Sequence, residues 1–171
     1  MANIIDIYDE VKKFREKYKI SDDIPVDLKK ICKDLNITIK ICSMVNVESN
    51  VGAKISGMIK YDKIKQSGTI FVNDEDIPTR QTFTIAHELG HYHLHIPTDD
   101  NGLVVSFRGI TTPKEIEADK FAAELLMPKD KVIEEHSKLF YPTVSSLSKS
   151  FGVSNLAMKI RLNELGLNFI G

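Results

Sequence analysis

The chain has no tryptophan and only two cysteines, Cys32 and Cys42. Their spacing matches neither the C-x-x-C pair of a structural zinc site nor the dense framework of a small secreted domain, so both read as reduced core thiols. No apolar run approaches the ~20 residues of a membrane-spanning helix. Acids at Asp6, Asp9 and Glu10 stand where a signal peptide would carry its apolar stretch, which predicts a cytoplasmic protein. Nor does either charge dominate: 23 basic and 24 acidic residues leave a net −1. That balance excludes a global basic field for nucleic acid and confines any such contact to a local patch. With 171 residues the chain is long enough to bury a core of its own.

What the chain does have is a metal-binding pattern. His87-Glu88-Leu89-Gly90-His91 sets two imidazoles four residues apart with a carboxylic acid beside the first. Residues four apart on a helix are neighbours, so His87 and His91 reach one metal ion while Glu88 points towards a water next to it. A helix is expected, with Asp76 and Pro78 as cap and first turn, Pro97 as a stop, and only Gly90 breaking the pattern. Phe83, Ala86, Gly90 and Leu94 fall near the histidine face, while Ile85, Leu89 and Tyr92 form a second apolar stripe. Such a helix is buried on both sides, and the cost of burying two histidines and a glutamate is offset by a metal. His93, two residues from His91, points elsewhere and reads as a core or surface histidine. His95, one turn beyond His91, falls beside the site.

A peptidase zinc takes three protein ligands and leaves a fourth position open. The next acids lie in residues 112–128, which read as a helix opening at Thr112 and ending before Pro128. Glu115 and Glu117 are the candidates. Thr112-x-x-Glu115 is also a capping box, with Pro113 at the first helical position. Glu115 shares its face with Ala118, Asp119, Ala122 and Leu126, small enough in part for close approach to the histidine helix. Glu117 aligns instead with Glu124, which reads as solvent-facing. This favours Glu115 as third ligand, and Asp119, one turn on, is placed to accept the free ring N–H of a ligating histidine.

Phe83-Thr84-Ile85-Ala86-His87-Glu88-Leu89-Gly90-His91-Tyr92-His93-Leu94-His95, followed by Glu115-x-x-Ala118-Asp119-x-Phe121-Ala122-Ala123-Glu124-Leu125-Leu126-Met127-Pro128, resembles the ImmA/IrrE family of metallopeptidases, both blocks matching in order and spacing. The resemblance implies that His87, His91 and Glu115 hold Zn2+, that Glu88 is the general base, and that the substrate is a protein. It implies further that this substrate is a helix-turn-helix repressor, cut to relieve repression in a phage, a mobile element or a stress regulon.

The expected fold class is α+β and zincin-like: a small antiparallel sheet packed on the active-site helix, with a mostly helical C-terminal part. Residues 1–36 read as two helices; 37–41, 53–61 and 68–73 read as strands, with a turn at 63–67. Strand 68–73 is the candidate edge for holding an extended peptide across the zinc. Residues 96–111 form a long connection between the two ligand helices. Residues 144–151, a turn at Gly152-Val153, a cap at Ser154 and a helix over 156–165 resemble a helix-turn-helix. The expected division is therefore a metallopeptidase domain at 1–140 and a helix-turn-helix-like lobe at 141–171, the alternative being that this lobe is integral to the same domain.

The chemistry expected is zinc-dependent peptide hydrolysis, with Glu88 taking a proton from the attacking water. Tyr61, Tyr92, His95 and His136 are the candidate oxyanion donors, and nothing in the pattern chooses among them. Two alternatives come from other classes. One is a non-catalytic metal-containing regulator that binds a repressor or toxin; the intact Glu88 argues against it. The other is a DNA-binding module in which Lys149, Lys159 and Arg161 face phosphate, against which the neutral overall charge argues.

Overall fold

A computed structural model describes residues 6–44, 55–96, 103–106 and 112–170, the last strand by its backbone alone. The two expected N-terminal helices are present. Helix α1 (Ile7–Lys17) is capped by Asp6 and buries Val11 and Phe14; α2 (Leu28–Asp34) is capped by Asp27 and buries Leu28, Ile31 and Cys32. Burial pushes the Cys32 thiol up to about 12, and both cysteines are free; Cys32 is a core thiol as expected, whereas Cys42 is half-buried at the end of the first strand. Asn36, at φ 56°, turns the chain out of α2 into strand β1 (Ile37–Cys42), and its carbonyl accepts the Gly68 N–H at 3.1 Å.

Strands β2 (Gly57–Asp62) and β3 (Ser67–Asn73) form a hairpin. Its turn is held by Asp62, whose Oδ1 accepts the N–H groups of Ile64 and Lys65, each at 3.0 Å. The expected start of β2 at residues 53–54 lies outside the described residues. With β4 (Leu103–Ser106), which falls in the long connection, the sheet has the order β1-β3-β2-β4.

This order corrects two expectations. The sheet is mixed rather than antiparallel throughout: β2 runs antiparallel to both β3 and β4, but β1 runs parallel to β3, from Ile37 opposite Gly68 to Cys42 opposite Asn73. Strands β1, β2 and β3 do alternate in direction, but β3 inserts between β1 and β2 and so meets β1 with matching polarity. Strand 68–73 is consequently interior, paired on both sides, and cannot take up a peptide. Among the described residues the edges are β1 and β4.

The sheet carries α3 (Pro78–Leu94), in which every residue from Ala86 to His91 is buried, as its two apolar stripes require. Pro78 opens the helix as expected, but Asp76 does not cap it. Ile77 is the cap residue and makes no side-chain bond, while Asp76 is buried with its Oδ1 3.9 Å from Arg80 Nε. Helix α4 (Pro113–Leu126), capped by Thr112, packs against α3 at Gly90. A Cβ there would stand 3.1 Å from Ala118 Cα and 3.2 Å from its carbonyl oxygen, so the one helix-breaking residue of the motif is where the two backbones touch.

Helix α5 (Lys129–Ser137) was not expected from the sequence, because only Val132 among its nine residues is buried and no apolar stripe marks it. Helices α6 (Val144–Phe151) and α7 (Asn155–Glu164) follow the helix-turn-helix pattern, with Ser154 accepting the Ala157 N–H. Leu147, Phe151, Met158 and Leu162 join the same hydrophobic cluster as Phe14 and Phe121. Lys149 and Lys159 are exposed, but Arg161 is buried and unavailable to phosphate. It pairs with Glu124 and donates to the Met127 carbonyl at 3.0 Å. Glu124, expected to face solvent, is correspondingly buried, and its Oε1 accepts the Lys129 N–H at 3.1 Å. No helix among the described residues is long and apolar enough to cross a membrane.

Breaking a buried pair strands a charge, whereas replacing both partners by apolar groups does not. Arg161→Met should therefore lower the unfolding free energy by about 3–5 kcal/mol, and adding Glu124→Leu should recover most of the loss. Denaturant midpoints of the two variants measure this; equal midpoints would show that the pair carries no such energy.

Candidate active site

Helix α3 presents His87 and His91 one turn apart, and α4 brings Glu115 up against both. His87 Nε2 lies 3.0 Å from His91 Nε2, and Glu115 sits 3.1 Å from each, through Oε2 to His87 and Oε1 to His91. Two ring nitrogens this close have either a proton or a metal ion between them. The edge of a tetrahedron with bonds of ~2.05 Å is roughly 3.3 Å, close to these separations. The three residues are thus a group that can hold one metal ion.

The outer nitrogens are engaged separately. His87 Nδ1 is 2.8 Å from Asp119 Oδ1, the arrangement expected of Asp119, which leaves Nε2 facing inward. His91 Nδ1 is 2.9 Å from His95 Nδ1, and His95 Nε2 is 2.9 Å from Glu117 Oε2. Glu117, the other candidate third ligand, is therefore directed to His95 and not to the ligand group. Glu115 completes only half of a capping box: Thr112 Oγ1 accepts the Glu115 N–H at 3.3 Å, but the Glu115 carboxylate turns to the histidines instead of back to the cap.

Glu88 is fully buried between α3 and the sheet. Its neighbour across the gap is Gly57 of β2, where a Cβ would stand 3.4 Å from Glu88 Oε1, 2.9 Å from the Phe71 carbonyl and 2.3 Å from Thr84 Cγ2. Any side chain at 57 would displace Thr84 and crowd Glu88. No spacing in the sequence marks Gly57 as part of the site, because the contact is made by a strand some thirty residues before the motif. His95 carried a signal, its four-residue step from His91, whereas Glu117 was marked only as a candidate ligand and not as the partner of His95.

The candidate oxyanion donors are held as follows. His95 is bound to His91 and Glu117, and His136 lies 2.6 Å from the Asn168 carbonyl. Tyr61 and Tyr92 pack edge to face with ring centroids 5.0 Å apart. Burial and the hydroxyls of Tyr61 and Tyr18 push the Tyr92 phenol well above its ordinary range. His93 is half-buried, 3.1 Å from Glu10 and edge-on to Phe14.

The chain is similar to several known proteins. The Peptidase_M78 pattern, described as the IrrE N-terminal-like domain, matches residues 32–163. Metallopeptidase ImmA of Bacillus subtilis (strain 168) is 28% identical over 138 residues, 77% of this chain and 78% of that protein. Uncharacterized immunity region protein 2 of Bacillus phage phi105 is 31% identical over 131 residues, 74% of this chain and 80% of that one. A Mycobacterium tuberculosis transcriptional regulator of known structure has the same fold at 18% identity, with a TM-score of 0.60 over 94% of this chain. The match spans only 56% of that longer protein.

Electrostatics set the terms on which the site takes an ion. Burial opposes charge on His87, but hydrogen bonds to Asp119 and Glu115 and the nearby Glu88 carboxylate outweigh it and raise His87 to about 10. Burial lowers His91. Glu115, which burial alone would raise, is carried down to about 2 by its hydrogen bonds with His87 and His91. At neutral pH, then, the chain's own groups favour one proton on His87 Nε2, which an incoming ion must displace. Affinity for a divalent ion should rise about tenfold per pH unit from pH 6 to 8, with about one proton released per ion. Chelator competition across that range, with calorimetry in two buffers, checks both numbers; a pH-independent affinity would refute the assignment.

Proposed function

The chain belongs to the IrrE N-terminal-like family of metallopeptidases, Peptidase_M78, and from this we propose that it is a zinc-dependent endopeptidase of the cytoplasm that cuts a helix-turn-helix repressor. The observation that carries the reading is the meeting of His87, His91 and Glu115 around one point, with the buried Glu88 next in the chain. The two-imidazole, one-carboxylate donor set suits zinc with an open fourth position. When bound, zinc supplies a Lewis acid that polarises the scissile carbonyl and brings a water's pKa towards ~7.

The remaining work falls to the chain's own groups. Glu88 takes the proton of the attacking water and delivers it to the leaving amine nitrogen. Burial beside Gly57 keeps that carboxylate in one place between the two transfers. Asp119 fixes the ring of His87 through Nδ1, so that Nε2 stays turned towards Glu115. The peptide adds to the edge strand β4, whose Ser106 lies opposite Gly57 and hence one strand away from Glu88.

A repressor as substrate is supported by the resemblance to ImmA/IrrE proteins and by a relative whose name places it in a phage immunity region. The test is incubation of the purified chain, with and without zinc, with the helix-turn-helix repressor encoded nearest to its gene. Wild type should cut it at one site. Glu88→Gln should keep zinc and lose at least about a hundredfold in rate, and His87→Ala should lose both zinc and cleavage. Undiminished cutting by Glu88→Gln would remove the assigned base, and an uncut repressor would remove the assigned substrate.

A further inference from the structure

His95 and Glu117 take no part in the reaction as proposed, yet they stand in line behind one ligand. His95 is 4% exposed, at the last turn of the histidine helix, and its ring is tilted 52° to that of His91 with centroids 5.0 Å apart. Both of its nitrogens are engaged: Nδ1 with His91 Nδ1 and Nε2 with Glu117 Oε2, each at 2.9 Å. Only one arrangement of protons satisfies this chain while His91 offers Nε2 to an ion. His91 must carry its proton on Nδ1 and donate it to His95 Nδ1, which must then be a lone pair. The proton of His95 is therefore on Nε2, and Glu117 accepts it.

We propose that His95, oriented by Glu117, is the positioning residue for His91, fixing its ring and its Nδ1–H tautomer as Asp119 does for His87. This rests on the ligand set proposed above. The two ligands are thus held by unlike means. His87 leans on a carboxylate directly, and the Asp119 side chain is 62% exposed. His91 leans on a carboxylate through an intervening buried imidazole. The chain of contacts also explains why Glu117, only two residues from Glu115, turns away from the ligand group: its partner is His95.

The test reads metal binding rather than turnover. Zinc affinity is measured by chelator competition on the full chain, and the visible spectrum of the cobalt form reports the geometry around the ion. His95→Leu, which fills the space without an acceptor, should weaken zinc about ten- to a hundredfold and alter the cobalt spectrum. His95→Asn, whose amide oxygen can stand in for Nδ1, should recover most of that loss. Glu117→Leu should weaken zinc in the same direction but less, and Glu117→Gln should stay near wild type. A role in packing alone would reverse the first pair, with Leu binding as wild type and Asn merely less stable to heat. Wild-type affinity and spectrum in a folded His95→Leu overturn the proposal; if that variant does not fold, unchanged affinity in Glu117→Leu does so. His91→Ala separates the two levels. If it binds zinc as tightly as wild type, the ligand set itself fails; if it loses zinc while the His95 and Glu117 variants keep it, only the positioning role fails.

Discussion

The contact between α3 and α4 at Gly90 is what the site depends on. The two histidines come from one helix and the carboxylate from the other, so their 3.0–3.1 Å separations exist only because the backbones touch. With Ala118 Cα and carbonyl and Phe121 Cβ all within 3.2 Å of where a Gly90 side chain would begin, there is no slack in that direction. Close-packed interiors transmit small changes in volume as backbone shifts, so a methyl group at this point acts on the ligand geometry as well as on the core. The glycine of the motif in this sense helps set the geometry of the group that can hold a metal.

The same closeness concentrates charge. Glu88, Glu115, Glu117 and Asp119 converge on three imidazoles in a region where burial makes every unpaired charge costly. The arrangement is tolerable because Glu115, Glu117 and Asp119 each have an imidazole as immediate partner, and because His87 and His91 each have a separate inner and outer duty. A proton or a divalent ion can occupy the inner position, and the outer hydrogen bonds are the same for both.

Much of this was legible in the sequence because it is local. The four-residue step from His87 to His91, the Thr112 cap and the small residues facing Glu115 are properties of single helices, and each leads to the geometry found. The chain's long-range features were less accessible. Strand order depends on β3 entering between β1 and β2, which no alternation pattern encodes, so the sheet read as antiparallel and strand 68–73 read as an edge. Gly57 looked like any strand glycine until Glu88 was placed against it. Glu124 and Arg161 each read as ordinary surface charges, since burial of an ion pair is visible only when both partners are known. Helix α5 carries one buried side chain, too few to generate a period.

The pairing of Arg161 with Glu124 bears on how firmly the site is held. Helix α4 is a strut, with Glu115 in its first turn and Glu124 in its last, about 14 Å apart. Its far end is gripped by a residue some forty positions later, through Glu124 and the Met127 carbonyl. The last helix therefore acts as a clasp on a strut: the residue that fixes the far end of α4 lies outside the metal-binding group, and its loss would free the whole lever that carries Glu115 to the histidines.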